Sequence, residues 1–109
     1  MFTVEKNPTF THEVPIHVPV DGGTETQTIK ATYTVMTDEE SETFNTGHLN
    51  GMKEFLIAAK IKMADLQDPE GKALPYNDKV RDQLLALPYV CHGLFNGYLK
   101  GISNGRLGN

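Results

Sequence analysis

The sequence predicts an α+β fold in which an amino-terminal antiparallel β-hairpin packs on three to four α-helices. Two observations predict it. Apolar and polar residues alternate with a period of two from residue 10 to residue 35, and from residue 37 onward the apolar residues recur every three or four positions. No linker, low-complexity segment or internal repeat interrupts the 109 residues. We therefore expect a single domain over residues 1–109, with the hairpin region in 1–36 and the helical region in 37–104.

The amino-terminal third is predicted to be β. The apolar residues of segment 10–20 occupy even positions, whereas Pro15 and Pro19 share the odd parity. The missing N–H groups of the two prolines then lie along one edge, which predicts an edge strand with an incomplete ladder. A turn-forming Asp-Gly-Gly leads into a second alternating run over residues 29–35, so a hairpin is expected. The apolar residues of segment 2–4 predict a short third strand.

Helical signals begin at Thr37. Thr37 and Glu40 have the spacing of a capping box, which predicts a short acidic helix through about Phe44. A second, amphipathic helix is predicted over residues 49–64. An Asp-Pro-Glu-Gly sequence at 68–71 then predicts a turn. The apolar face of the second helix is predicted to consist of Leu49, Met52, Leu56, Ala59 and Met63.

Two further helices are predicted to meet at a proline. Asn77 is a favourable N-cap residue, followed by Asp78 in the first turn. Pro88 disfavours helical angles at the preceding residue, so it ends the first of these helices and suits the first position of the next. One face of the last helix is predicted to carry Cys91, Leu94, Phe95, Tyr98 and Ile102.

Three glycines lie beside that apolar face. Gly93, Gly97 and Gly101 recur every fourth residue, and each costs about 0.8–1 kcal/mol of helix propensity relative to alanine. Something must offset this cost. Either another element of the same domain approaches the helix closely, or the helix is left marginal so that it orders on a partner.

No established catalytic or metal-binding motif is recognised in the sequence. Four histidines are scattered, and the acidic residues around 65–71 lack the alternating spacing of a calcium loop. Cys91 is interpreted as a buried thiol rather than a nucleophile. The glycines of the hairpin turn lack the lysine and helix start of a phosphate-binding loop. We therefore expect no enzyme activity, no cofactor and no metal.

Composition indicates the cellular compartment and the class of partner molecule. A net charge of −4 gives no basic surface for nucleic acid, and the single cysteine suits a reducing compartment. The longest apolar run, residues 55–59, is far shorter than the roughly 20 residues that span a bilayer, and no secretion leader is recognised. A cytoplasmic protein that binds another protein is expected, without nucleic-acid or membrane partners.

The order of these signals resembles that of the tail assembly chaperones of long-tailed bacteriophages and prophages, over most of the chain. The resemblance rests on the hairpin PTFTHEVPIHVPVDGGTETQTIKATYTVMT, the acidic TDEESETF, the DPEG turn, the LPY at 74–76, the block DQLLALPYVCHGLFNGYLKG and the small polar end at Asn109. The chain has Met63 where many relatives carry a tryptophan, and it ends in Gly-Asn where many end in Lys-Asn.

The resemblance implies a non-enzymatic assembly factor of the host bacterial cytoplasm, made during infection or prophage expression and absent from the mature virion. Such proteins bind the tape measure protein, keep its apolar helices from aggregating and help recruit tail tube subunits. Many also have a longer, frameshifted form, and a homo-oligomer is possible because many copies coat one client. The residues predicted to contact the client are Tyr89, Leu94, Phe95 and Tyr98, which suit the protein's own core equally well.

Two alternatives remain open. A structural tail protein, such as a tube or terminator subunit, would also combine a β-hairpin with helices. A small regulatory protein could use the helices around Pro88 as a helix-turn-helix, but residues 89–99 contain no arginine or lysine to contact DNA. The protein-binding function is therefore favoured over the DNA-binding one.

Overall fold

The computed structural model describes residues 1–104, so Asn109, which forms part of the resemblance, lies outside the described residues. It has an antiparallel three-stranded sheet in the order β1-β2-β3, and four helices, which confirms the predicted α+β fold. The core lies between one face of the sheet and the helices. The elements are β1 (Thr9–Val20), β2 (Gly23–Thr34), α1 (Asp38–Ser41), α2 (Leu49–Ala58), β3 (Lys62–Ala64), α3 (Asp78–Leu85) and α4 (Pro88–Asn104).

The hairpin β1–β2 follows the predicted alternation. Phe10 pairs with Tyr33 and Val20 pairs with Gly23, across a two-residue turn. Gly22 in that turn has φ 82°, a left-handed conformation that glycine adopts without steric penalty. The side chains that the strands bury are Val14, Ile16, Ile29, Ala31 and Tyr33, which are even-numbered in β1 and odd-numbered in β2, as predicted.

The third strand is not the one predicted from Phe2 and Val4. Residues 1–5 form no strand, and the Phe2 and Val4 side chains are 88% and 87% exposed. The third strand is β3, whose Ala64 pairs with Lys30 of β2. Alternation along a short segment shows that it can be extended, but the available sheet edge is determined by the rest of the fold.

The helix predicted over residues 49–64 is wrong in its last six residues, because α2 ends at Ala58. Lys60 has φ 56°, and its N–H donates to the Ile57 carbonyl at 3.0 Å, while Ile61 N–H donates to the Leu56 carbonyl at 3.2 Å. These two bonds form a Schellman motif with lysine in the position that glycine usually occupies. Met63 therefore reaches the core from β3 rather than from a helix.

The predicted caps and the predicted turn are confirmed. Glu40 N–H donates to the Thr37 hydroxyl, and the Glu40 carboxylate accepts from Thr37 N–H, which completes the capping box of α1. The helix itself is shorter than predicted and ends at Ser41. Gly71 N–H donates to the Asp68 carbonyl at 2.9 Å, which closes the predicted turn. Asn77 caps α3 by accepting from the Val80 N–H at 2.9 Å.

Gly93, Gly97 and Gly101 form a glycine strip on α4, which packs directly against β1. A Cβ atom at Gly93 would lie 2.7 Å from Ile16 Cδ1, and one at Gly97 would lie 2.7 Å from Val14 Cγ2. One at Gly101 would overlap the Phe10 ring. The three glycines therefore allow the close approach of another element in the same domain, the first of the two explanations offered by the sequence.

Gly97→Ala is expected to lower the free energy of unfolding by about 1–2 kcal/mol. The added methyl would meet a β-branched, buried Val14 and the Tyr33 hydroxyl, 2.8 Å away, and overpacking of about 1–3 kcal/mol exceeds the propensity gain of about 1 kcal/mol. Urea denaturation measures the change. Gly93→Ala is the control, since it meets only the movable end of Ile16 at short range. Equal stabilities of the two variants would contradict this packing.

Candidate partner-binding groove

An open cavity of about 290 Å³ lies between α1 and the carboxyl-terminal half of α4, and we call it the α1–α4 groove. Its floor is apolar and aromatic. One wall comes from α1 and the loop after it, and the other comes from exposed residues of α4. The lining residues are Met36, Asp38, Ser41, Glu42, Thr46, Phe55, Phe95, Tyr98, Leu99 and Ile102.

The floor of the groove is held rigidly by the core. Phe55 contacts Phe95 and Tyr98 edge to face, with ring centroids 5.3 Å and 4.9 Å apart. The Tyr98 hydroxyl accepts a hydrogen bond of 2.9 Å from the Met36 N–H. This bond joins α4 to the segment between β2 and α1. The shape of the groove is therefore set by buried side chains, and a ligand would not have to order them.

The α1 wall is acidic. Asp38, Glu39 and Glu40 lie in the first turn of the helix, and Glu42 follows directly after it. Hydrogen bonds from the Thr37 N–H and the Asn7 amide hold the pKa of Glu40 below its ordinary value, so this carboxylate stays ionised while it fixes the helix. Asp38 and Glu42 line the groove itself. An apolar floor with a negative wall suits an amphipathic segment that carries basic side chains.

The four residues predicted to bind a partner differ in burial and location in the structure. Leu94 and Tyr98 are buried in the core, and Phe95 exposes only a small part of its ring. Tyr89 is half-buried and lies far from the groove, beneath the hairpin. In this conformation Phe95 and Tyr98 shape the groove floor, whereas Leu94 offers no surface. Direct contact of these four residues with a partner stays a prediction.

Two accessible residues of the groove were not selected from the sequence. Leu99 is 42% exposed and Ile102 is 48% exposed, and both line the α4 wall. Ile102 has the periodicity of the core face, yet about half of its side chain is exposed, although the neighbouring Gly101 packs against Phe10 of β1. Leu99 lies one turn from both Phe95 and Ile102, at the margin of that face. Helical periodicity identifies a face, but it does not show how far along the helix the covering element extends.

A second cavity, of about 360 Å³, lies beneath the distal half of the hairpin, and we call it the hairpin groove. It is bounded by the inner face of the hairpin, the segment after β3 and the corner between α3 and α4. Most of its lining is apolar, and it includes Tyr89. The apolar side chains that line it include Ile16, Val18, Ile29, Leu66, Leu87 and Tyr89.

No other chemistry-bearing cluster stands out in residues 1–104. Within this range, no three His, Cys, Asp or Glu side chains lie together so that they could hold a metal ion. Burial raises the pKa of the Cys91 thiol, with Lys53 opposing the shift, so the thiolate is disfavoured. The same range also lacks a helix of the length and hydrophobicity needed to cross a membrane.

Comparisons of the chain with protein-family models, with curated proteins and with solved structures found no match. The likeness to tail assembly chaperones therefore rests on the sequence motifs alone.

Proposed function

We propose that the protein is a phage tail assembly chaperone that binds the tape measure protein through the α1–α4 groove and transforms no substrate. The observation that supports this most directly is the exposure of Leu99 and Ile102 beside a preformed apolar floor. The client of such a chaperone is a long, helical protein whose apolar side chains aggregate when uncovered. A groove of this kind accepts apolar side chains from one face of a helix.

The dimensions of the groove favour weak binding at many places. About 290 Å³ is at the lower end of the range for ligand pockets, and it accommodates only a few side chains. Affinity for a long client would then come from many copies bound along it, each with modest affinity. Release before the tail is complete is easier for weakly held copies. On the same proposal the complex helps to recruit tail tube subunits in the host cytoplasm.

Replacing Leu99 and Ile102 together with serine is expected to weaken client binding about tenfold, which corresponds to a loss of about 1.4 kcal/mol of apolar contact. The measurement is the soluble fraction of a tape measure protein co-expressed with each variant. Leu49→Ser is the matched control, because Leu49 is similarly exposed but lies outside the groove. Both variants should unfold at nearly the same temperature as the parent protein.

Two results would count against the proposal. If the parent protein leaves the solubility of the tape measure protein unchanged, the chaperone function is wrong. If the groove variant protects the client as well as the parent does, binding takes place elsewhere. Mass spectrometry of purified virions tests the alternative of a structural tail protein, which would be retained in the particle, whereas a chaperone is expected to be absent.

A further inference from the structure

One edge of the sheet is left open in the distal half of β2. The closing pair of the hairpin, Val20 and Gly23, exchanges hydrogen bonds, so odd-numbered residues of β2 face β1 and even-numbered ones face away. The even positions near the base of the hairpin have partners. Lys30 and Thr32 pair with β3, and Thr34 N–H donates to the Ala59 carbonyl at 2.8 Å.

The even-numbered residues of β2 nearer the hairpin turn have no such backbone partner among the described residues. Thr24, Thr26 and Thr28 are exposed, and no backbone group within residues 1–104 bonds to this part of the edge. Asp65, whose φ is 60°, turns the chain away from β2 directly after β3. The opposite edge of the hairpin is different, because Pro15 and Pro19 remove donors there. Only the β2 edge therefore keeps an uninterrupted run of donors and acceptors that can pair with a further strand.

The open edge borders the hairpin groove. Thr28 lines this groove together with Ile16, Val18 and Ile29 of the inner sheet face. A strand added along the β2 edge would direct alternate side chains toward that inner face. The added strand should therefore carry apolar residues two positions apart, with other residues between them.

Residues 1–6, with the sequence MFTVEK, have this pattern. Phe2 and Val4 are two positions apart and almost fully exposed. The segment is attached to the base of the hairpin at Asn7, whose side-chain amide donates to the Val35 carbonyl and to the Glu40 carboxylate, each at 2.9 Å. The sequence predicts a strand here, and the monomer provides no strand for it to pair with.

The segment is too short to reach the open edge of its own chain. From Asn7, which is bonded to Val35, the nearest open position is Thr28, seven residues along β2 and roughly 23 Å away. Phe2 is five residues from Asn7 and reaches at most about 17 Å. The intervening edge is already occupied by β3 and by the Ala59 carbonyl. A second copy of the chain has no such restriction.

We propose that residues 1–6 of one copy pair as a strand with the β2 edge at residues 24–28 of a second copy, and insert Phe2 and Val4 into its hairpin groove. The donated segment and the accepting edge are different surfaces. The contact can therefore close as a mutual exchange between two copies or continue from copy to copy in a row. This self-pairing holds whether or not the chain is a tail assembly chaperone, since it uses neither the α1–α4 groove nor a client.

Two proline substitutions at one cross-strand pair of the hairpin test whether the β2 edge accepts the added strand. Thr26 and His17 face each other, and their N–H groups point to opposite outer edges. Thr26→Pro removes an open donor of the β2 edge, whereas His17→Pro removes a donor of the edge that already contains two prolines. Analytical ultracentrifugation over a range of concentrations should show at least a tenfold weaker self-association for Thr26→Pro and an unchanged one for His17→Pro.

A mixing experiment tests whether residues 1–6 supply the added strand. A chain lacking residues 1–6 keeps the accepting edge, and Thr26→Pro keeps the donated segment. Each variant alone should remain monomeric. An equimolar mixture should form a complex of two chains and no larger one, because that complex has neither a free 1–6 segment nor an intact, unoccupied β2 edge. Circular dichroism establishes that each variant is folded.

Three outcomes would overturn the proposal. They are a parent protein that stays monomeric at millimolar concentration, a Thr26→Pro variant that associates like the parent, and a mixture that stays monomeric although both components are folded. A cavity of about 440 Å³ lies beside Asn7 and is lined in part by Met36 and Phe44. Folding of residues 1–6 into this cavity of their own chain would give the first of these outcomes.

Discussion

Tyr98→Ala is expected to lower the free energy of unfolding by about 3–5 kcal/mol. The Tyr98 side chain is only 2% exposed, and its ring centroid lies 4.9 Å from that of Phe55 and 5.6 Å from that of Tyr33. Removal of the ring leaves a cavity where α2, α4 and the sheet meet, and it removes the hydrogen-bond acceptor of the Met36 N–H. For a domain of this size the loss is a large part of the total stability.

Chemical denaturation of Tyr98→Ala and Tyr98→Phe measures the free energy of unfolding and tests this prediction. Tyr98→Phe keeps the ring and loses the hydrogen bond, so a decrease of about 1–2 kcal/mol is expected. If Tyr98 served mainly as an exposed contact for a partner, both substitutions would leave stability nearly unchanged and would affect binding alone. A stable Tyr98→Ala variant would therefore show that the described packing of α4 is wrong.

Gly51→Ala is expected to lower the free energy of unfolding by about 3 kcal/mol, at the upper end of overpacking effects. A Cβ atom at this position would overlap the Asn45 carbonyl oxygen and lie 2.5 Å from its carbon, and both are backbone atoms. The same carbonyl accepts the His48 N–H at 3.3 Å, so it takes part in the turn that leads into α2. The clash can be relieved only by moving that turn.

Thermal unfolding of Gly51→Ala and Gly23→Ala provides the comparison. A Cβ atom at Gly23 would meet no atom within 4 Å, so this variant should unfold within a few degrees of the parent. Because alanine is favoured over glycine inside a helix by about 1 kcal/mol, an unhindered Gly51 would make the variant more stable than the parent. Stabilisation would therefore contradict the close contact between α2 and the turn.

Local signals predicted the parts of the fold that depend on neighbouring residues. The alternation of β1 and β2 assigned Val14 and Tyr33 to the buried face, and the caps at Thr37 and Asn77 marked two helix starts. Pro88 marked the corner before α4. Each of these features depends on side-chain direction or on hydrogen bonds made within a few residues, which a sequence pattern records.

Non-local contacts determined what the sequence left open. The end of α2 at Ala58 depends on Lys60 adopting a left-handed conformation, which the helical periodicity of residues 49–64 conceals. The alternation of Ile61 and Met63 with two lysines was a signal for β3 that could have been used. Gly51 gave no signal, because its need for a glycine comes from a backbone segment that precedes α2.

The candidate site shows the same division. The sequence by itself determined that α4 has an apolar face and a glycine strip, and that α1 is acidic. Only the tertiary structure decided that β1 covers the glycines, that Leu94 and Tyr98 lie in the core, and that Leu99 and Ile102 remain accessible beside the groove. The physical reason is that hydrophobicity specifies which side chains favour burial, whereas the position and extent of the covering element specify which of them achieve it.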